Sequence, residues 1–195
     1  MNLLKKTSKM RKLKLQMHLS LDNYVNMEDA GKDFKWDNEV INFCVENLED
    51  VDIILLGRKT AEELIPFWDE VATNPSHKDF ALGKRISETL KLVFSNSATQ
   101  NHWKNTDVLK GNFNDEILKL KKSKGKNILV YGGASFASSL VQNNLVDEFY
   151  FLLDPFCLGK GVTIFKKDEG VQTFAFLKSK PFPCGTIMLS YKPNY

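Results

Sequence analysis

A chain of 195 residues with 43% hydrophobic content and a formal charge of +3 has the size of one domain and enough apolar material for a substantial core. No apolar run reaches membrane-spanning length, and the start, Met1-Asn2-Leu3-Leu4-Lys5-Lys6, lacks the long hydrophobic segment of a secretion signal, so a soluble cytoplasmic protein is expected. Six bases and no acid fall in residues 1–14, leaving 21 bases against 24 acids beyond them; the body is slightly acidic, carries no nucleic-acid motif, and is not expected to bind nucleic acid.

Residues 1–9 read as a flexible basic leader, and residues 10–195 as the single domain. In residues 12–19, Leu13, Leu15, Met17 and Leu19 alternate with Lys12, Lys14, Gln16 and His18, which predicts a strand with one more polar face. His18 falls on that face and is assigned no role. The strand runs into Ser20-Leu21-Asp22-Asn23, and residues 26–33 have loop composition, long enough in a compact domain to suggest a functional loop. Asp37 then caps a helix whose apolar positions Val40, Ile41, Cys44, Val45 and Leu48 repeat at three and four.

Residues 51–56 form a second apolar strand, ending in Gly57-Arg58-Lys59-Thr60 and a short helical piece through Ala61, Leu64 and Ile65. Pro66, Pro75 and the residues between them read as a loop, followed by a helix over 77–88 and a buried strand over 90–94 that ends at Ser95-Asn96-Ser97. A short strand over 106–110 precedes a helix over 115–122 with acids in its first turn and lysines in its last, as the helix dipole prefers. Lys119, Lys121, Lys122, Lys124 and Lys126 on and after it read as a solvated face.

The most informative stretch is 127–161. Residues 128–131 are an unbroken apolar run typical of a strand buried on both faces; Gly132-Gly133 end it, and residues 134–141 place Phe136, Ala137, Leu140 and Val141 at helical spacing before Asn143-Asn144. Glycines let backbone approach a ligand closely, and the first free amides of the next helix point at the same spot, which suits a phosphate. The same turn also occurs simply to pack a helix on a sheet. A strand over 148–153, a flexible corner at Leu158-Gly159-Lys160-Gly161, and an antiparallel hairpin of residues 171–178 and 185–191 complete the chain. Cys44, Cys157 and Cys184 are odd in number and flanked by apolar residues, which predicts reduced, packed thiols, and the histidines His18, His77 and His102 lack metal-ligand spacing.

Strands alternating with helices before a terminal hairpin give an α/β domain, a three-layer sandwich around a mixed, mostly parallel sheet with an antiparallel C-terminal edge. Ligands in such sheets sit outside the carboxyl ends of the strands, where Ser20 to Asn23, Gly57 to Thr60, Ser95 to Ser97 and Gly132 to Ser135 all fall. Gly57 permits close approach, Arg58 offers a planar cationic fork, and Thr60 a hydroxyl; alternatively, Arg58 pairs with Glu62 as a surface ion pair.

Four stretches give the chain its resemblance to a known group: Ser20-Leu21-Asp22-Asn23, Leu56-Gly57-Arg58-Lys59-Thr60, Val130-Tyr131-Gly132-Gly133-Ala134-Ser135-Phe136, and Leu145-Val146-Asp147-Glu148 leading to Asp154-Pro155 and Leu158-Gly159-Lys160-Gly161. Over residues 10–192 the chain resembles the dihydrofolate reductase-like superfamily, in the branch of the reductase domain of the bifunctional riboflavin-biosynthesis deaminase-reductase. The resemblance implies an NADPH-binding reductase, often homodimeric. By position, Gly57, Arg58 and Thr60 would meet the adenosine-side phosphates, and Ser95 and Asn96 would line the adenosine end. Gly132, Gly133, Ala134, Ser135 and Phe136 would wrap the pyrophosphate, and Trp36 would touch the cofactor. Asp22 and Tyr131 would stand nearest the substrate, a small heteroaromatic (pterin- or pyrimidine-like) or carbonyl compound; no catalytic acid is assigned.

The chain departs from that branch in several places, among them Asn23 where the branch has a glycine after the first-loop aspartate. It has no zinc-deaminase signature; Tyr131 replaces a substrate-facing glutamate; and Ala61-Glu62-Glu63-Leu64-Ile65-Pro66-Phe67-Trp68 replaces an arginine-bearing loop for a sugar phosphate. A protein that keeps the cofactor cleft but has lost turnover is the alternative reading.

Overall fold

The computed structural model describes residues 10–25, 36–97, 102–166 and 170–195. The expected leader and the expected loop over 26–33 lie outside these described residues. The chain forms β1 (Leu13–Ser20), α1 (Asn38–Asn47), β2 (Val51–Gly57), α2 (Arg58–Val71), α3 (Phe80–Glu88), β3 (Leu90–Phe94), β4 (Thr106–Leu109), α4 (Phe113–Lys122), β5 (Asn127–Tyr131), α5 (Ala134–Gln142), β6 (Glu148–Asp154), β7 (Phe174–Pro181) and β8 (Ile187–Pro193). The strands make one eight-stranded sheet in the order β4-β3-β2-β5-β1-β6-β8-β7. It is parallel from β4 to β6 and antiparallel through β8 and β7, as the alternation of elements predicts.

Alternation along the strands splits the core into two layers. Ile54, Leu56 and Leu129 face α1, α2 and α3, where Val40, Ile41, Ala61, Ile65, Leu82 and Ile86 pack. Ile53, Leu55, Ile128 and Val130 face α4 and α5, against Ile117, Ala137, Leu140 and Val141. Each fully buried Leu or Ile in these layers contributes roughly 1.5–3 kcal/mol relative to exposure.

Four details correct the sequence reading. Pro66 lies inside α2, which runs fourteen residues and does not break into a loop. Proline removes an amide and leaves the Glu62 carbonyl without its usual partner, yet Ala61, Ile65 and Val71 stay buried at helical spacing and outweigh that cost. The polar face of β1 is not solvated: Lys14 and Gln16 are buried, Lys14 Nζ bonding Asn47 and Asp50, and Gln16 accepting from Asn47 at 2.7 Å. Lys121 leaves the expected solvated face of α4 and is buried, bonding the Leu145 carbonyl and Asp147. Cys157 is exposed, whereas Cys44 is buried and Cys184 half-buried; all three are free thiols.

Candidate active site

The adjacent strands β2 and β5 send their chains to opposite faces, β2 into α2 and β5 into α5, and that divergence opens a crevice at their carboxyl ends. A cleft of about 1030 Å³ occupies it. Gly57, Arg58, Lys59 and Thr60 form one wall; Gly133, Ala134, Ser135 and Phe136 form the other; Phe94, Asn112, Phe113 and Asn114 close one end.

Glycine is required at the turn. Gly132 has φ +77 and Gly133 φ +83, and a Cβ on Gly133 would stand 2.7 Å from Thr60 Oγ1. A Cβ on Gly57 would in turn meet the Phe136 Cβ at 3.0 Å. The two helix starts therefore touch, and backbone lines the floor between them.

Neither start is neutralised. α2 and α5 have no side-chain cap and no acid in the first turn, whereas Asp37 caps α1 ahead of Glu39 and Asn112 caps α4 ahead of Asp115 and Glu116. Free amides with the positive ends of two dipoles, beside Arg58 and Lys59, make the cleft a place for an anion. Its other surface is apolar: Phe94, Phe113 and Phe136 contact one another with centroids 5.0 to 6.4 Å apart, a surface suited to a flat ring. These features fit a dinucleotide, whose pyrophosphate needs the amides and whose base needs the aromatic end.

Of the residues expected to bind the cofactor, Gly57, Arg58, Thr60, Gly133, Ala134, Ser135 and Phe136 line this one cleft. Arg58 Nη1 also bonds Glu62 at 2.6 Å, the surface pair considered as the alternative. Gly132 stands just beneath, within 4.0 Å of Met17 and Thr60 for a built Cβ. Ser95 and Asn96 do not line the cleft; Asn96 grips Gly111 by two bonds, accepting from its amide and donating to its carbonyl, and so holds the segment carrying Asn112 and Phe113. The cleft is also lined by Lys59, inside the Gly57 to Thr60 stretch, and by Phe94 and residues 112–114, which the sequence reading does not single out. The strand-end rule would have found residues 112–114, because they follow β4.

The residues expected nearest the substrate lie off the cleft. Asp22 Oδ1 accepts from Ser20 Oγ at 2.6 Å and the Leu158 amide at 3.0 Å, while Oδ2 accepts from the Gly159 amide at 2.7 Å. The Ser20 bond first, then the Leu158 amide, holds this carboxylate below its ordinary pKa. Tyr131 pairs in register with Gln16 and its hydroxyl is buried; burial pushes it well above the usual phenol value, the nearby Cys44 adds to that, and the Gln16 side chain opposes it by less. Trp36 stacks on His18 with centroids 4.0 Å apart, its indole Nε1 buried and unpartnered. His18 Nδ1 lies 3.0 Å from Asp154 Oδ2, a contact the sequence did not suggest.

The family described as the RibD C-terminal domain matches residues 11–188 of the chain. The chain is 29% identical over 189 residues to the uncharacterized protein YyaP of Bacillus subtilis (strain 168), covering 95% of this chain and 97% of that one. Among solved structures it is similar to a protein named for riboflavin biosynthesis from Shewanella sp. PV-4, with a TM-score of 0.67, 21% identity, and coverage of 94% and 99%. It is also similar to dihydrofolate reductase from Enterococcus faecalis complexed with NADP(H), with a TM-score of 0.59, 16% identity, and coverage of 94% and 97%. The structural likenesses establish a shared fold.

Proposed function

This chain belongs to the RibD C-terminal domain family of dihydrofolate reductase-like proteins, and from that premise we propose that it is an NADPH-dependent reductase of a small heteroaromatic, pterin- or pyrimidine-like, or carbonyl compound. One observation carries the reading: two uncapped helix starts, joined through glycines that a methyl group would obstruct, face a single cleft with a cationic rim and an aromatic end. The NADP(H) bound by the Enterococcus dihydrofolate reductase supports the choice of nucleotide.

In this reading the amides of Ala134, Ser135 and Phe136 hold the pyrophosphate, and Arg58 and Lys59 meet a further phosphate on the ribose. The aromatic end holds the adenine. When bound, NADPH supplies the hydride. The chain contributes chiefly position: a cleft floored by backbone at Gly133 brings the dinucleotide down against the strand ends, where an acceptor is held close.

The test is loss of NADPH absorbance with dihydrofolate, dihydrobiopterin, an aminouracil ribosylamine, riboflavin and benzaldehyde as acceptors. Oxidation dependent on one of them is expected. NADPH binding with no oxidation across the panel would favour a protein that keeps the cleft without turnover.

A further inference from the structure

We propose that His18, oriented by Asp154, is the acid that delivers the proton accompanying hydride transfer in this chain. The inference rests on the reductase reading above. A hydride passing from bound NADPH, which is oxidised to NADP+, adds two electrons to the acceptor carbon, the double bond to its neighbouring nitrogen or oxygen becomes a single bond, and that atom must take a proton. That proton comes from Nε2 of the imidazolium form of His18, which is left as the neutral imidazole protonated on Nδ1; solvent then restores the Nε2 proton.

Position selects His18. β1 lies beside β5 with Gln16 opposite Tyr131, so the next residues along β1 run beside the glycine turn, at an interstrand spacing of about 4.8 Å. Met17 confirms the adjacency from the other face, its Sδ being 4.0 Å from a Cβ built on Gly132. His18 projects to the α1 side, where its ring is flanked by Trp36 and remains 16% exposed.

Orientation follows from Asp154. This carboxylate is fully buried at the end of β6; its Oδ1 accepts from Thr186 Oγ1 at 2.7 Å and its Oδ2 faces His18 Nδ1 at 3.0 Å. In this arrangement Nδ1 donates to the carboxylate, and Nε2 is the atom turned away. Among the described residues Nε2 has no hydrogen-bond partner, and the indole Nε1 of Trp36, the ring stacked on His18, is buried and unpartnered. A buried donor left unsatisfied beside a free ring nitrogen is what a substrate would satisfy.

The other nearby groups are poor acids. Burial drives the Tyr131 phenol well above its usual range and pushes the Cys44 thiol up to about 12. Asp22 has its oxygens committed to Ser20, Leu158 and Gly159. Asp154 reaches the reaction only through His18 and acts as a positioning residue.

Two measurements decide the matter. In the free protein, ring nitrogen NMR of His18 is expected to show a protonated Nδ1 and a bare Nε2 in the neutral imidazole, with Asp154→Asn redistributing the tautomers while Asp154→Glu restores them; the opposite tautomer in the wild type overturns the proposal even if no acceptor is in hand. With the acceptor that the panel identifies, His18→Gln is expected to lower kcat about a hundredfold or more with KM and the NADPH dissociation constant within about threefold. Unchanged kcat overturns it, and so does a loss confined to KM. Failure of the reductase reading itself would show instead as absence of turnover by the wild type.

Discussion

Arg58 and Glu62 form an ion pair of 2.6 Å one turn apart on α2, with both side chains about half exposed, at the rim of the glycine-floored cleft. Such a pair is worth only a few tenths of a kcal/mol, so it holds the guanidinium ready without competing seriously with a phosphate. Charge-assisted bonds to a phosphate are worth about 2 kcal/mol, roughly thirtyfold in affinity. Arg58→Ala is therefore expected to weaken NADPH far more than NADH, and Glu62→Gln to strengthen NADPH slightly; equal losses for both cofactors in Arg58→Ala would remove Arg58 from the ribose phosphate.

Gly133 and Gly159 offer a matched comparison. Both have positive φ, +83 and +72, so alanine at either meets a backbone cost of about 1–2 kcal/mol. Only at Gly133 does the methyl strike another group, Thr60 Oγ1 at 2.7 Å; nothing lies within 4 Å at Gly159. Thermal melts should show Gly133→Ala more destabilised than Gly159→Ala, and calorimetry should show NADPH binding lost in the first and kept in the second. Equal behaviour would mean that the turn yields without disturbing the cleft.

Acid should open the corner that Asp22 holds. Hydrogen bonds from Ser20 and the Leu158 amide put its folded pKa below the unfolded value, so its contribution is fully present above the ordinary carboxylate range and is lost as pH falls through the lower folded value. Hydrogen exchange at Leu158 and Gly159, corrected for intrinsic pH dependence, should accelerate below about pH 4. Asp22→Asn should show that acceleration at neutral pH; protection unchanged in the variant would show the corner held by other contacts.

Lys91 is fully buried, and its ammonium donates to the carbonyls of Ile86, Ser87 and Thr89 at the end of α3. Lys91→Met keeps the apolar stem and strips those carbonyls of their donor, and is expected to cost about 2–3 kcal/mol in denaturant unfolding. Burial also lowers the lysine pKa, so the wild type should gain stability as pH rises from the folded value toward the unfolded one, because the unfolded chain then binds more protons. The methionine variant should lose that part of the pH slope.

The parallel strands were legible because burial on both faces writes itself into consecutive residues, as in Ile128, Leu129 and Val130, and the glycine turn because its backbone demands are local. Asn144 with φ +53 after α5 was likewise readable. α2 past Pro66 was not, since its continuation depends on burial of Ile65 and Val71 against other elements. The polar side of β1 misled for a related reason: Lys14 is satisfied by Asn47 and Asp50, and His18 by Asp154, residues brought near only by the sheet order. Asp22 reads as a substrate-side residue, whereas it is bonded to Ser20 and to the amides of Leu158 and Gly159, which come from far along the chain.

The most direct test of the central claim is calorimetric titration of the purified protein with NADPH and with NADH. One site per chain with NADPH at least about tenfold tighter than NADH is the predicted result; no heat and no saturable binding with either nucleotide would contradict it.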